Sequence, residues 1–223
     1  MIRALIFDLD GMIVDTESPS LQSWQELFQR YGCELPLSEW AKCIGTGYVF
    51  DPLEYLESQL GYGFNKNRAE LGQKRFQREV ELANKQSARP GVQEYIADAK
   101  KIGLRLGVAS SSPRDWVEGH LLRLGLMEHF DAIKCRDDVT NVKPDPELYL
   151  AALKALGVQS SEAIALEDSP NGILAAKRVG LFCVAVPNPI TAQLQLEGAD
   201  VRLGSLAELP LAKLLVEAQR NYR

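Results

Sequence analysis

Asp8-Leu9-Asp10-Gly11 sets two carboxylates two residues apart at the end of the apolar run Ala4–Phe7. Comparable polar sets follow later apolar runs. Ser110-Ser111-Ser112-Pro113 comes after Leu104–Ala109, and Lys143-Pro144-Asp145-Pro146 lies beyond Ala132–Cys135. Glu167-Asp168-Ser169-Pro170-Asn171-Gly172 follows Ala163–Leu166. Carboxylates without histidine suit a hard, oxygen-loving cation such as Mg2+. A lysine and hydroxyls beside them suit the oxygens of a phosphate.

Chemistry of this kind needs a scaffold that brings distant residues to one rim. Short apolar runs alternate with stretches of helical period, the pattern of an α/β fold with a mainly parallel sheet in a Rossmann-like three-layer core. Strands are expected at Ala4–Phe7, Leu104–Ala109, Ala132–Cys135, Ala163–Leu166 and Phe182–Val186, with a weaker one at Val201–Leu203. Asp145–Leu156 reads as a helix with Leu148, Ala151, Ala152 and Ala155 on one face, and Leu206–Ala218 is also helical in pattern. Ligands of such sheets gather at the carboxyl ends of the strands, where the four polar sets fall.

One region breaks the alternation. From about Thr16 to Ser87 the periodicity is helical throughout. Leu21, Trp24, Leu27, Phe28 and Tyr31 recur at helical spacing, as do Leu53, Leu56 and Leu60, while Asn67–Lys85 is polar and expected to have a wide solvated face. This predicts a helical cap subdomain over 16–87 inserted into a core made of 1–15 and 88–223. Trp24, Trp40, Tyr48 and Phe50 read as the small core of that cap, and the Gly45–Phe50 loop is expected to face the core site.

Composition removes several functional classes. With 25 Lys+Arg against 30 Asp+Glu, the formal net charge is -5, without the basic footprint of a nucleic-acid protein. His120 and His129 are the only histidines, and Cys33, Cys43, Cys135 and Cys183 form no C-x-x-C pair, so no zinc finger or redox motif is present. Both histidines read as surface or packing residues. No run approaches the roughly 18 apolar residues of a membrane helix. Met1–Asp8 meets charge too soon for a signal peptide. A cytoplasmic monomer with neither membrane nor nucleic-acid partner is expected. Simpler roles also compete for some residues. Ser112-Pro113, Asp145-Pro146 and Ser169-Pro170 read as helix N-caps with a first-turn proline. Asp8-x-Asp10-Gly11 fails as an EF-hand, since Met12 and Pro19 stand at ligand positions. Gly45-Thr46-Gly47 fails as a dinucleotide fingerprint, because Phe50 replaces the last glycine.

Taken together and in order, Asp8–Thr16, Val108–Ser111, Lys143-Pro144 and Leu166–Ser169 resemble the four motifs of the haloacid dehalogenase superfamily. The resemblance is to its helical-cap phosphatases, the group containing β-phosphoglucomutase and phosphoglycolate phosphatase. It implies an Mg2+-dependent phosphatase that hydrolyses a small phosphorylated metabolite, with sugar phosphates favoured. Asp8 would be the nucleophile and form an aspartyl-phosphate, with Asp10 as acid and base and Lys143 as the catalytic cation. Ser110, Ser111 and Lys143 would bind the substrate phosphate. Mg2+ would be held by Asp8, Asp168 and the main-chain carbonyl of Asp10, with Glu167 close by. The second aspartate argues against dehalogenation. A phosphosugar mutase is the alternative within the family, but Ser20 stands where the mutase carries a histidine, and Gly45–Phe50 lacks its cap-loop arginine. A non-catalytic binding module is the alternative of another class, and it would not need all of Asp8, Asp10, Lys143 and Asp168.

Overall fold

The computed structural model describes residues 1–40, 50–61 and 67–221. Six strands, β1 (Ala4–Phe7), β2 (Arg105–Ala109), β3 (Ala132–Lys134), β4 (Ala163–Glu167), β5 (Phe182–Ala185) and β6 (Val201–Arg202), form one sheet. All neighbours are parallel and the order is β3-β2-β1-β4-β5-β6. The chain builds outward from β1 in one direction, then returns to build from β4 in the other. The switch lies between β1 and β4, where an open parallel sheet leaves a crevice.

The central strands are apolar on both faces because helices cover both. Leu5, Phe7, Ile164, Leu166, Phe182 and Val184 face α5 (Val92–Lys101), α6 (Arg114–Arg123) and α9 (Leu211–Asn221). On the opposite face Ala4, Ile6, Ala163, Ala165 and Ala185 meet α7 (Glu147–Leu156) and α8 (Pro170–Arg178). The expected α/β fold with three layers is therefore the fold observed. Strand and helix bounds shift by a residue or two, and one expected helix is broken. The expected Leu206–Ala218 helix is a 3-10 turn at Leu206–Glu208 and then α9, with Leu209 extended between them. Pro210 explains the break, since a residue before proline is driven out of helical conformation.

Between Thr16 and Ser87 the regular elements among the described residues are all helices: α1 (Glu17–Gln29), α2 (Leu37–Trp40), α3 (Pro52–Leu60) and α4 (Arg68–Ala83). Leu21, Trp24, Leu27, Phe28, Trp40 and Leu56 make an apolar cluster separate from the two sheet faces, and Phe50 packs against it. Tyr48 and the rest of the Gly45–Phe50 loop before Phe50 lie outside the described residues. Asp51 and Asn67 cap α3 and α4 through side-chain oxygens. Only Leu82 and Ala83 of α4 are fully buried, in keeping with its polar sequence. Arg78 ties α4 to α1 through a forked pair with Glu26 at 2.8 and 3.1 Å.

The helical segment joins the core where Val14 and Ala88 form an antiparallel bridge and Arg89 N–H donates to the Ile13 carbonyl at 2.8 Å. The Arg89 guanidinium donates to the carbonyl of Gly11, to Val186 O at 2.8 Å and to Pro187 O at 2.7 Å. One side chain thus clamps the turn after β1 to the loop after β5. Arg89→Met would strand three carbonyls in a half-buried place, so urea denaturation is expected to show a loss of about 2–3 kcal/mol. A loss below about 0.5 kcal/mol would show that water replaces the clamp.

Candidate active site

The register of the sheet places the polar sets side by side. Phe7 pairs with Val108 on one side and Leu166 on the other, so Asp8, Ser110 and Glu167 leave the sheet at nearly the same level. Lys143 reaches the same point from the loop after β3. Its ammonium donates to Asp8 Oδ1 at 2.6 Å and to Glu167 Oε1 at 2.6 Å, with all three groups buried. The Tyr149 hydroxyl of α7 donates to the same Glu167 oxygen at 2.5 Å. Asp168 is buried beside them and accepts Asn188 Nδ2 at 2.7 Å. Asn188 is itself fixed, because its Oδ1 accepts the main-chain N–H groups of Ile190 and Thr191 at 2.8 and 3.0 Å.

Two glycines make this packing feasible. Gly11 has φ +76°, and a Cβ there would collide with the Asp168 carboxylate and the Asn188 amide. A Cβ on Gly172, in the first turn of α8, would collide with the Glu167 carboxylate. Asp8, Glu167 and Asp168 offer one oxygen each within 4.8 Å of one another, a donor set of hard oxygens alone.

Asp10 turns the other way. Its Oδ1 accepts Thr16 Oγ1 and Trp116 Nε1, both at 2.8 Å, and its Oδ2 accepts Ser112 Oγ at 2.7 Å and Ser110 Oγ at 3.2 Å. It faces a cavity of about 580 Å³ between the strand ends and the helices α1 and α4. Asp8, Lys143, Asp168 and Ser111 line the cavity from the core side, and Glu17, Ser20, Phe76 and Glu79 line it from the helical side. The Ser111 hydroxyl is buried and has no hydrogen-bond partner within the protein. Ser110 is fully buried and bonded to Asp10, so its hydroxyl is engaged.

The three cap readings separate here. Ser169 does cap its helix, accepting Gly172 N–H at 3.2 Å. Asp145 accepts Glu147 N–H at 3.1 Å, but the helix begins at Glu147 rather than at Asp145. Ser112 makes no cap; α6 starts at Arg114 and the hydroxyl goes to Asp10. An ionised carboxylate is a stronger acceptor for this hydroxyl, which is why Asp10 takes it. His120 is a buried packing residue against Trp116, with ring centroids 4.4 Å apart. Four contributors were not singled out from sequence: Tyr149, Asn188, Trp116 and Glu17. Reading beyond the fifth strand, as was done for the first four, leads directly to Val186-Pro187-Asn188. Glu17 follows the Asp8–Thr16 motif immediately, yet at a helix start its charge looks like simple dipole complementation.

Comparison with known proteins places the chain among similar sequences and structures. Residues 5–186 match the family described as haloacid dehalogenase-like hydrolase. The chain is 51% identical over 215 residues to YhcW of Bacillus subtilis (strain 168), covering 96% of this chain and 97% of that one. It is 34% identical over 209 residues to validoxylamine A 7'-phosphate phosphatase of Streptomyces hygroscopicus subsp. limoneus, covering 94% and 96%. Among solved structures, a variant of CbbY from Rhodobacter sphaeroides in complex with xylulose-(1,5)bisphosphate superposes with a TM-score of 0.78 at 32% identity, covering 96% of this chain and 99% of that one.

Burial dominates the electrostatics of the site. Burial pushes the Asp8 carboxyl up to about 8, against the pull of Lys143. Burial and then the charge of Asp8 hold Asp168 well above the usual carboxylate range. Glu17 is pushed up to about 8, first by desolvation and then by Asp10 and Glu79. Without a cation the native state therefore binds more protons than the unfolded chain between about pH 4 and pH 8, so its stability falls as pH rises through that window. A divalent cation keeps the carboxylates charged and opposes the fall. The melting temperature of chelator-treated protein is expected to drop between about pH 5 and pH 8, and millimolar MgCl2 to raise it more at the higher pH. Equal MgCl2 effects at both pH values would contradict this linkage.

Proposed function

The chain belongs to the haloacid dehalogenase-like hydrolases, and from that membership and the site's geometry we propose an Mg2+-dependent phosphatase working through an aspartyl-phosphate on Asp8. It is a phosphatase of small phosphorylated metabolites. The observation that carries the mechanism is the division between two carboxylates on one turn. Asp8 lies among buried acids against Lys143, while Asp10 is turned away into the cavity wall among hydroxyl and indole donors.

In this reading the Asp8 carboxylate attacks phosphorus, forming a P–O bond as the bond to the leaving alkoxide breaks. Asp10 gives the leaving oxygen its proton, then takes one from the water that hydrolyses the aspartyl-phosphate, so inorganic phosphate departs and Asp8 is regenerated. Lys143 neutralises charge beside the attacking group, and the unpartnered Ser111 hydroxyl is a ready donor to a phosphoryl oxygen. Asp8, Asp168 and the main-chain carbonyl of Asp10 would hold Mg2+, with Glu167 behind them. The cation supplies the positive charge that lets a phosphate dianion approach a carboxylate.

The helical segment 16–87 is read as a cap that closes the cavity and selects the leaving group. Glu17 and Glu79 can exchange hydrogen bonds with hydroxyls, and Phe76 and Trp116 offer apolar faces. Together they favour the phosphate ester of a polyhydroxylated compound. Ser20 on the cavity wall carries no general base for phosphoryl return, which favours hydrolysis over mutase chemistry.

The test is hydrolysis of 4-nitrophenyl phosphate, followed by a panel of glucose 6-phosphate, sorbitol 6-phosphate and glycerol 3-phosphate. Activity is expected with MgCl2, to vanish with EDTA, and to fall about a thousandfold or more in Asp8→Asn. Turnover that survives either change would sink the mechanism. With glucose 1-phosphate and a bisphosphate primer, inorganic phosphate is the expected product; glucose 6-phosphate would mark a mutase.

A further inference from the structure

The hydrogen bond from Trp116 to Asp10 is not part of the scheme above, and its surroundings give it a role. Of the four donors on the Asp10 carboxylate, three are hydroxyls, from Thr16, Ser110 and Ser112, and the fourth is the Trp116 indole N–H. A hydroxyl can rotate and turn from donor to acceptor. An indole N–H can only donate, and it sits on a rigid plane. It therefore commits Asp10 Oδ1 to accepting, and leaves Oδ2 as the oxygen that exchanges a proton with the leaving group.

The ring plane is itself held from two sides. Phe76 of α4 lies against it with ring centroids 6.1 Å apart and 39° between planes. On another side His120 meets it edge-on at 4.4 Å and 72°. His120 Nδ1 lies 3.1 Å from Arg123 Nη2, and Arg123 donates to the carbonyls of Gln86 at 2.7 Å and Ala83 at 3.4 Å, where α4 ends. Both sides of the indole thus lead to α4. Phe76 is 48% exposed and lines the cavity.

We infer that Trp116 is a positioning residue for Asp10: its indole N–H fixes the carboxylate while α4, through Phe76, sets the ring. The ring that holds Asp10 is thus set from the helical segment as well as from the core. The positioning role rests on the assignment of Asp10 as the acid made above.

A misplaced acid has a specific signature. kcat/KM covers steps up to loss of the leaving group, and 4-nitrophenolate departs without a proton whereas an alkoxide needs one. The experiment compares kcat/KM for 4-nitrophenyl phosphate with that for the best alkyl phosphate of the panel, in wild type, Asp10→Asn, Trp116→Phe and Phe76→Ala. Trp116→Phe keeps an aromatic ring but removes the N–H. It is expected to lose about tenfold or more on the alkyl ester relative to the aryl ester. Phe76→Ala, which leaves the N–H in place, is expected to show the same selectivity at several-fold, and it reads the signature should Trp116→Phe not fold. If Asp10→Asn is selective for the alkyl ester but Trp116→Phe loses both activities equally or neither, the positioning role is overturned and the acid assignment stands. A Phe76→Ala protein that matches wild type on both esters overturns the link to α4. If Asp10→Asn itself shows no selectivity, the acid assignment fails and the inference goes with it.

Discussion

Three buried carboxylates with one oxygen each within 4.8 Å of one another, and a buried ammonium bonded to two of them, are the constraint around which this molecule is arranged. Asp8, Glu167 and Asp168 against Lys143 leave two negative charges in excess when all are ionised. Burying such a set costs several kcal/mol per ion unless partners surround it. The partners come from every part of the core: Tyr149 from α7, Asn188 from the loop after β5, and the backbone space left open by Gly11 and Gly172. Two excess charges are also the complement of one divalent cation. The cluster is poorly satisfied alone and well satisfied with that ion, a poise useful to catalysis and wasteful for stability.

Strand order makes this juxtaposition possible. Because β1 and β4 are neighbours, the residues that end them, Asp8 and Glu167, meet without any loop having to reach between them. Asp10, two residues further on, has already left the strand and bent away. The same turn thus supplies one carboxylate to the buried cluster and another to the wall shared with the helical segment. Two identical side chains thereby meet different environments, which in the proposed mechanism separates a nucleophile from an acid.

Legibility from sequence followed the same physics. Buried parallel strands advertise themselves as apolar runs, so β1 through β5 are legible within a residue or two, and the polar residues that follow four of them, at once or after a loop, lead to the charged cluster. Contacts made sideways were not legible. Trp116 lies one turn into α6, and Tyr149 sits among leucines and alanines of α7, where each looks like a core aromatic. Ser112 looked like a cap because Ser-Pro before a helix usually is one, and only the proximity of Asp10 diverts its hydroxyl. Pro210 was visible in the sequence, but the apolar period on both sides of it masked the break.

The chain's charge of -5 gives no hint of an anion as substrate. Net charge is a property of the solvated surface, where water and salt screen each acid from the next within about 10 Å. In the crevice between β1 and β4 screening is weak, and in the proposed mechanism the acids there would act through a recruited cation. Once that ion is in place, Lys143 and the neutralised carboxylates present a phosphate with local attraction. The acidity that would repel a phosphate from the surface is, at the strand ends, the means of bringing in the charge that binds it.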